Sequence, residues 1–228
     1  FPARIKWLKT KLENLESNLP TIDCVKFKQY LSYVDASTVS VLFITESFIS
    51  PQAMFGRLAL KIGRKNTDGL KSKGHVFSYL ANIEATQNIP ILIWKGLSGG
   101  YDGYFYLASF NDYQKNYNVY EDRDIWEYKL ILSPAEVEII VYHLWELKYA
   151  SPKYYFFSYN CGTVIESLLK PALPHIKINS RLWDTPKDIL SKICRNDLCE
   201  TSNYYPSDFS KYKALVSIFT DREKMMIR

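Results

Sequence analysis

Apolar residues recur at helical spacing near the start of the chain. From Ile5 to Leu19 they return every three to four positions and stop before Pro20, which predicts a helix over residues 3–18. A shorter pattern of the same kind predicts a second helix over residues 25–33. The chain is therefore expected to open with two helices.

The middle of the chain carries short segments rich in β-branched and aromatic residues, some alternating with polar residues and some continuously apolar. Such segments are typical of half-buried and fully buried strands. Strands or extended segments are predicted over residues 39–45, 57–62, 76–83, 101–108, 125–132 and 154–158. The second and third are expected to pair across a solvated, basic hairpin loop that runs from Lys61 to Lys73.

Helices are predicted between and after these strands, and two of them begin with a capping signal. Ser133-Pro134-Ala135-Glu136 and Thr185-Pro186-Lys187-Asp188 each place a hydroxyl at the N-cap, proline at the first helical position and a carboxylate at the third. Helices are predicted over residues 89–97, 133–148, 161–169 and 185–193, with a short helix or turn over 111–117. No repeat or linker interrupts this series, so we predict a single α+β domain over residues 1–228.

The composition suits a core without metals, and one of its features leaves two interpretations open. Hydrophobic residues make up 47% of the chain, enough to bury a core unaided. Aromatic residues reach 15%, which fits either a tyrosine-rich core or an aromatic groove for a lipid or an extended chain.

The net charge of +5 favours an anionic surface such as phospholipid headgroups. No stripe of cations interleaved with aromatic residues is present, so we expect no nucleic-acid partner. No apolar run reaches the length of a membrane span. No signal peptide is visible, but the chain begins with Phe1 instead of methionine, from which we expect that its natural N-terminus has been removed. The absence of a targeting signal therefore carries little weight.

The four cysteines divide by their surroundings. Cys194 and Cys199 are spaced for a small disulfide in an oxidising compartment, and they are too few for a structural zinc site. Cys24 is expected to be a small buried apolar residue. Cys161 follows an aromatic segment and Asn160 and opens a predicted helix, where the helix N-terminus favours thiolate over thiol. Two interpretations of Cys161 stay open, a nucleophile that carries an acyl group as a thioester and a buried structural cysteine.

A thiol nucleophile usually works with a histidine base, and the chain contains three histidines. His143 lies within a predicted helix and His175 follows a proline in a predicted loop. His75 stands just before the third predicted strand, which makes it the best candidate base by elimination.

Several segments, in this order, resemble the Lnb-type periplasmic domain family. They are Ser50-Pro51-Gln52-Ala53-Met54-Phe55-Gly56, Lys95-Gly96-Leu97 with Gly99-Gly100-Tyr101, Glu121-Asp122-Arg123-Asp124-Ile125-Trp126-Glu127-Tyr128, Leu144-Trp145-Glu146-Leu147, Tyr155-Phe156-Phe157 and Asn160-Cys161. The resemblance covers about residues 3–190 and leaves 191–228 as a C-terminal extension.

The resemblance implies a circularly permuted papain-like (NlpC/P60-type) fold, with an antiparallel sheet packed on helices. It implies thiol acyltransferases that N-acylate lipoproteins from a phospholipid donor. Cys161 would then be the nucleophile, Asn160 and the helix amides would hold an oxyanion, and the neighbouring Tyr159 would belong to the binding site. A cysteine peptidase or amidase on the same fold is a further alternative.

One residue departs from the family pattern, which reads Phe-Gly-His where this chain has Phe55-Gly56-Arg57. Arginine cannot accept a proton near neutral pH, although it can bind an anion or stabilise a thiolate. Either His75 has taken over as base, or the domain binds lipid or peptide without catalysis, or another group assists the thiol. Asn82 would orient a base on the second strand, or bond the Arg57 guanidinium.

The expected partners follow from the same resemblance. They are a phospholipid acyl donor, a lipoprotein or peptide acceptor and a membrane surface. We expect a periplasmic or otherwise exported protein, with membrane association left open, and we expect neither a metal nor a cofactor.

Overall fold

The computed structural model describes residues 1–11, 24–47, 53–65, 74–83, 88–174, 184–195 and 197–219. Its helices are α1 (Pro2–Lys11), α2 (Val25–Val34), α3 (Ile89–Ser98), α4 (Phe110–Lys115), α5 (Pro134–Leu147), α6 (Cys161–Ala172), α7 (Pro186–Cys194) and α8 (Asp208–Ile218), with a π-helical turn at Asn116–Tyr120. Its strands are β1 (Ala36–Ile44), β2 (Arg57–Arg64), β3 (His75–Ala81), β4 (Tyr101–Ser109), β5 (Ile125–Leu130), β6 (Lys153–Tyr154) and β7 (Cys199–Tyr205).

Within these residues the strands form one antiparallel sheet in the order β6-β4-β3-β2-β1-β5-β7. The predicted pairing of the second and third strands is confirmed by the register of Leu60 opposite Phe77. The mixture of helices with an antiparallel sheet confirms the α+β class.

The central strands are buried on both faces. One face packs on α5, α6 and α7 through a cluster that includes Val41, Leu60 and Leu168. The other face is covered by α4 and the π-helical turn, where Leu42 and Val76 meet Phe110. This double cover explains why β1 is continuously apolar from Val41 to Ile44, since both faces of the strand are buried there.

The two predicted capping boxes are confirmed. Ser133 accepts a hydrogen bond from the Glu136 N–H while the Glu136 carboxylate accepts one from the Ser133 N–H. Thr185 and Asp188 make the same reciprocal pair at α7. These contacts are local, so the sequence alone is enough to place them.

Two predicted boundaries are wrong for local reasons. The strand predicted over 154–158 shortens to Lys153–Tyr154, because the chain then turns and Tyr155 bonds back to Tyr159. The helix predicted to stop at Pro171 runs on to Ala172, because the Leu173 N–H still donates to the Leu169 carbonyl.

Lys61 does not belong to a solvated loop. It lies in β2, is 8% exposed, and its Nζ donates to both carboxylate oxygens of Glu127 at 2.8 Å. Residues 66–73 of the predicted basic loop, and residues 12–18 of the first predicted helix, lie outside the described residues.

Part of the chain beyond the family resemblance, the strand β7, joins the same sheet. β7 pairs with β5, and Tyr205 donates a hydrogen bond to Glu127 at 2.7 Å. The predicted disulfide is confirmed, since Cys194 at the end of α7 is bonded to Cys199 at the start of β7. Cys24 differs from expectation, because it is half-buried at the N-cap of α2.

The double substitution Cys194→Ser/Cys199→Ser is expected to lower the free energy of unfolding by about 2 kcal/mol. The disulfide closes a loop of sequence separation 5, and removing it returns that much loop-closure entropy to the unfolded chain. Urea unfolding of the oxidised protein and of the variant measures the difference. Equal unfolding midpoints would contradict the prediction.

Candidate functional site

The cap of α6 fixes the position of Cys161. The Asn160 side-chain carbonyl accepts hydrogen bonds from the N–H groups of Gly162 at 2.9 Å and Thr163 at 3.2 Å. The Thr163 hydroxyl in turn accepts a hydrogen bond from the Asn160 N–H at 2.8 Å. Cys161 is therefore held at the first helical position, and it is 4% exposed.

Cys161 and Arg57 line the same cavity, whose volume is about 440 Å³. The cavity lies between the start of β2, the end of β3 and the N-terminus of α6. Its walls include Arg57, Tyr79, Arg123, Tyr154, Phe156 and Cys161. Charged, thiol and aromatic groups therefore meet in one cavity that is partly open to solvent.

The turn before β2 directs Arg57 into this cavity. Gly56 has a φ of +71°, and a Cβ at this position would lie 2.8 Å from the Phe43 ring. Only glycine meets both conditions without strain. Gly56, packed against the Phe43 ring, therefore sets the backbone that carries residue 57, whatever the side chain of residue 57 is.

Arg57 is held among tyrosines. Its Nη1 donates a short hydrogen bond to the Tyr117 hydroxyl, and the guanidinium carbon lies 5.6 Å from the centroid of the Tyr117 ring. Burial lowers the pKa of Arg57, but interactions with Tyr117, Tyr113 and Cys161 among others raise it by a larger amount. The pKa of Arg57 is therefore above the usual arginine value. Arg57 is therefore a permanent cation that faces Cys161.

Tyr154 links the thiol to the helix N-terminus. Its hydroxyl makes hydrogen bonds with the Cys161 side chain and with the Cys161 backbone N–H. Burial and the neighbouring Cys161 raise the pKa of Tyr154 well above 10.0, although Arg57 acts in the opposite direction. The hydroxyl therefore stays protonated and acts as a donor next to Sγ.

A second guanidinium lines the cavity. Arg123 is 2% exposed, and it donates to the Thr45 carbonyl at 2.7 Å and to Glu121 at 2.9 Å. Its Nη2 has no hydrogen-bond partner among the described residues. Arg123 thus adds positive charge to the cavity while it ties the loop before β5 to the end of β1.

His75 does not lie near Cys161, and its assignment as base is corrected. It pairs with Ile62, five residues along β2 from Arg57, so it stands about 17 Å from the cavity end of the sheet. Its ring packs on Tyr33 with centroids 4.5 Å apart. Burial, and more weakly the charge of Arg64, lower the pKa of His75. A buried neutral imidazole at the far end of β3 cannot take a proton from Sγ.

The other two histidines give no base in the described structure. His143 lies on α5 near Glu146, and burial lowers its pKa. His175 lies outside the described residues. No imidazole of the described ranges lines the Cys161 cavity.

Comparison with known proteins decides the family. The model of the Lnb N-terminal periplasmic domain matches residues 26–193. The chain belongs to this family. Neither a curated protein nor a solved structure matches the chain. The suspected family is confirmed, and with it a periplasmic or otherwise exported location.

Three further predicted site residues of this Lnb-family domain have clear positions. Asn160 lines the cavity, but its side chain is used by the cap and by a bond from Nδ2 to the Phe156 carbonyl at 2.9 Å. Tyr159 packs edge-on against Tyr79, with centroids 5.7 Å apart. Asn82 is exposed just after β3, between two residues that line the cavity. Of these three, Asn160 is the one that the structure brings to Cys161.

The Lnb-family domain also uses residues that the sequence did not single out. Tyr154 stands seven positions before Cys161 in an aromatic segment, and this short separation could have predicted that the two side chains lie close together. Tyr117 carries no such signal, because it reaches Arg57 from the π-helical turn on another part of the chain.

The described part of this domain contains neither a membrane-spanning helix nor a cluster of metal-binding side chains. No described helix is both long and apolar enough to cross a membrane. No cluster of three or more metal-binding side chains occurs there either.

Proposed function

We propose that this domain binds an anionic acyl lipid, a phospholipid or the lipid-bearing end of a lipoprotein, in the cavity between Arg57 and Cys161. The observation that carries the proposal is the guanidinium of Arg57 facing the thiol at the position where the family pattern has a histidine base. A permanent cation attracts a phosphate and cannot accept the thiol proton.

The walls of the cavity suit an amphiphilic ligand. Arg57 and Arg123 supply positive charge at one side, and only Arg123 has a carboxylate partner, Glu121, in the described structure. Phe156 and Ile83 supply apolar surface at the same cavity. An anionic headgroup beside an acyl chain satisfies both parts of this lining.

The proposal includes the arrangement of the fold. We propose a permuted papain-like fold, formed as one domain over residues 1–228. The order of the elements supports it, since β2 with the former base position precedes α6 with the thiol, and both meet at one cavity.

A second candidate function is a slow thiol acyltransferase or acyl hydrolase, and the Tyr154 hydroxyl favours it. Sγ would attack an ester carbonyl, a C–S bond would form, and the alcohol would leave with the thiol proton as the C–O bond breaks. In that step the Cys161 N–H and the Tyr154 hydroxyl would exchange their hydrogen bond to each other for hydrogen bonds to the carbonyl oxygen. An amine or water would then take the acyl group from sulfur.

Binding of dihexanoyl phosphatidylglycerol, a monomeric anionic phospholipid, tests the first candidate. Arg57→Gln is expected to weaken its Kd by about tenfold or more, because a charge-assisted hydrogen bond to phosphate is lost. Arg57→Lys keeps the charge and is expected to retain most of the affinity. Isothermal titration at neutral pH gives the three constants.

Two results would count against the proposal. If the parent and Arg57→Gln bind the phospholipid with equal affinity, the headgroup does not contact Arg57. An acyl adduct on Cys161 of the parent, detected by intact-protein mass spectrometry and absent in Cys161→Ala, would favour the acyltransferase instead.

A further inference from the structure

The outer face of α3 is apolar where a helix exposed to water is normally polar. Its sequence, Ile89–Ser98, contains a single charged residue, Lys95, and no carboxylate. Five large apolar side chains on it are exposed: Ile89 60%, Ile91 49%, Ile93 46%, Trp94 72% and Leu97 47%. A helix of this kind is expected to meet another apolar phase.

The exposed side chains cover one continuous arc of the helix. At about 100° per residue, Ile89, Ile93 and Leu97 follow one another in steps of about 40°, and Trp94 and Ile91 extend the arc to about 200°. Leu92 and Gly96 point the opposite way and are buried. The apolar arc therefore faces away from the domain as one surface.

The α3 surface lies beside the Cys161 cavity. The Phe156 N–H donates to the Gly96 carbonyl at 2.9 Å, and a Cβ on Gly96 would lie 2.3 Å from the Phe156 ring. Phe156 also lines the cavity. One aromatic ring thus separates the inner side of α3 from the site where we place a lipid.

The charge of this region fits an anionic bilayer. Lys95 is the one charged residue of α3, and its Nζ lies 5.8 Å from the centroid of the Tyr101 ring. The chain as a whole carries a net charge of +5. Exposed tryptophan beside lysine and isoleucine is the composition of helices that lie in the headgroup region of a membrane.

We infer that α3 docks the domain on the surface of an anionic phospholipid bilayer. Its apolar arc enters the interface, Lys95 meets headgroup phosphates, and the cavity is held close to the lipid. The inference deepens the proposed function, on which it rests for the identity of the lipid in the cavity.

Cosedimentation with vesicles of phosphatidylglycerol and phosphatidylethanolamine tests the inference. Ile93→Glu is expected to reduce the partition coefficient by at least about tenfold, because an apolar side chain that enters the interface becomes a charge. Ile131→Glu is the matched control, since Ile131 is an exposed isoleucine (54%) just beyond β5. This control is expected to bind vesicles like the parent.

Tryptophan emission gives a second reading that does not depend on loss of binding. The parent is expected to show a blue shift when vesicles are added. Trp94→Phe keeps the apolar arc, so it should still cosediment while most of the shift disappears. A full shift in Trp94→Phe would place another tryptophan at the bilayer and overturn the role of α3.

The remaining outcomes separate docking from cavity binding. Ile93→Glu is expected to bind dihexanoyl phosphatidylglycerol like the parent, whereas Arg57→Gln should bind that ligand more weakly and still bind vesicles. The inference is overturned if Ile93→Glu binds vesicles like the parent, or if Ile131→Glu loses as much. It is also overturned if Ile93→Glu abolishes a dimer in sedimentation velocity without changing vesicle binding, since the arc would then join two copies.

Discussion

Replacing Arg57 by histidine is expected to raise the rate of Cys161 acylation by a p-nitrophenyl ester about a hundredfold or more. A histidine at this position would stand on the same turn, beside the same thiol, and could take the Sγ proton as sulfur attacks the carbonyl. A positioned general base contributes on the order of 10²–10⁴ in rate. The assay follows release of p-nitrophenol and the mass of the acylated protein.

Two matched variants define that result. Arg57→Gln removes the charge without adding a base and is expected to stay near the parent rate or below it. Arg57→His/Cys161→Ser should lose the gain, because the acceptor sulfur is gone. If Arg57→His is no faster than Arg57→Gln, residue 57 is not placed to act on Cys161, and the correspondence with the family histidine fails.

The substitution Lys61→Met is expected to lower the free energy of unfolding by about 3–5 kcal/mol at pH 7, the range for a buried ion pair left with one partner. Glu127 is 5% exposed, and without Lys61 its carboxylate would retain the Tyr205 hydroxyl but lose its cation. Lys61→Met/Glu127→Gln is the matched variant, because it removes both charges. It is expected to recover much of the loss, as urea unfolding would measure.

The pH dependence of this effect has a definite sign. Burial raises the pKa of Glu127, but the hydrogen bond and charge of Lys61 lower it by a larger amount. The pKa of Glu127 in the folded protein is therefore below 4.5. The stability that Glu127 contributes is thus fully present above about pH 4.5 and is lost as pH falls through the folded pKa. The gap between the parent and Lys61→Met should therefore narrow in acid. A gap that is constant with pH would mean that lost packing, not charge, causes the destabilisation.

What the sequence predicted correctly depends on short-range chemistry. The start of α6 at Cys161, the Ser133 capping box and the Cys194–Cys199 disulfide each depend on residues within a few positions, where spacing alone limits the geometry. The capping role of the Asn160 side chain was not predicted. The continuous apolar run of β1 also indicated burial on both faces. These features need no knowledge of how distant segments pack.

The incorrect and missed predictions concern contacts between residues that are far apart in the sequence, whose positions are set by strand register and packing. His75 is close to Arg57 in strand order, but the register places them at opposite ends of paired strands. Tyr117 reaches Arg57 from 60 positions away. β7 was not predicted, because its sequence is largely polar and its place is fixed by pairing with β5 and by Tyr205.

The Gly56 turn separates the architecture of the cavity from its chemistry. Because Gly56 and the Phe43 ring set the backbone at this point, the side chain that follows projects into the cavity without having to hold the turn together. Under the proposed function, exchanging this one residue would change the cavity from one that binds a lipid to one that reacts with it. In a designed protein, the side chain at this position could be varied to change the chemistry of the cavity while the backbone stays the same.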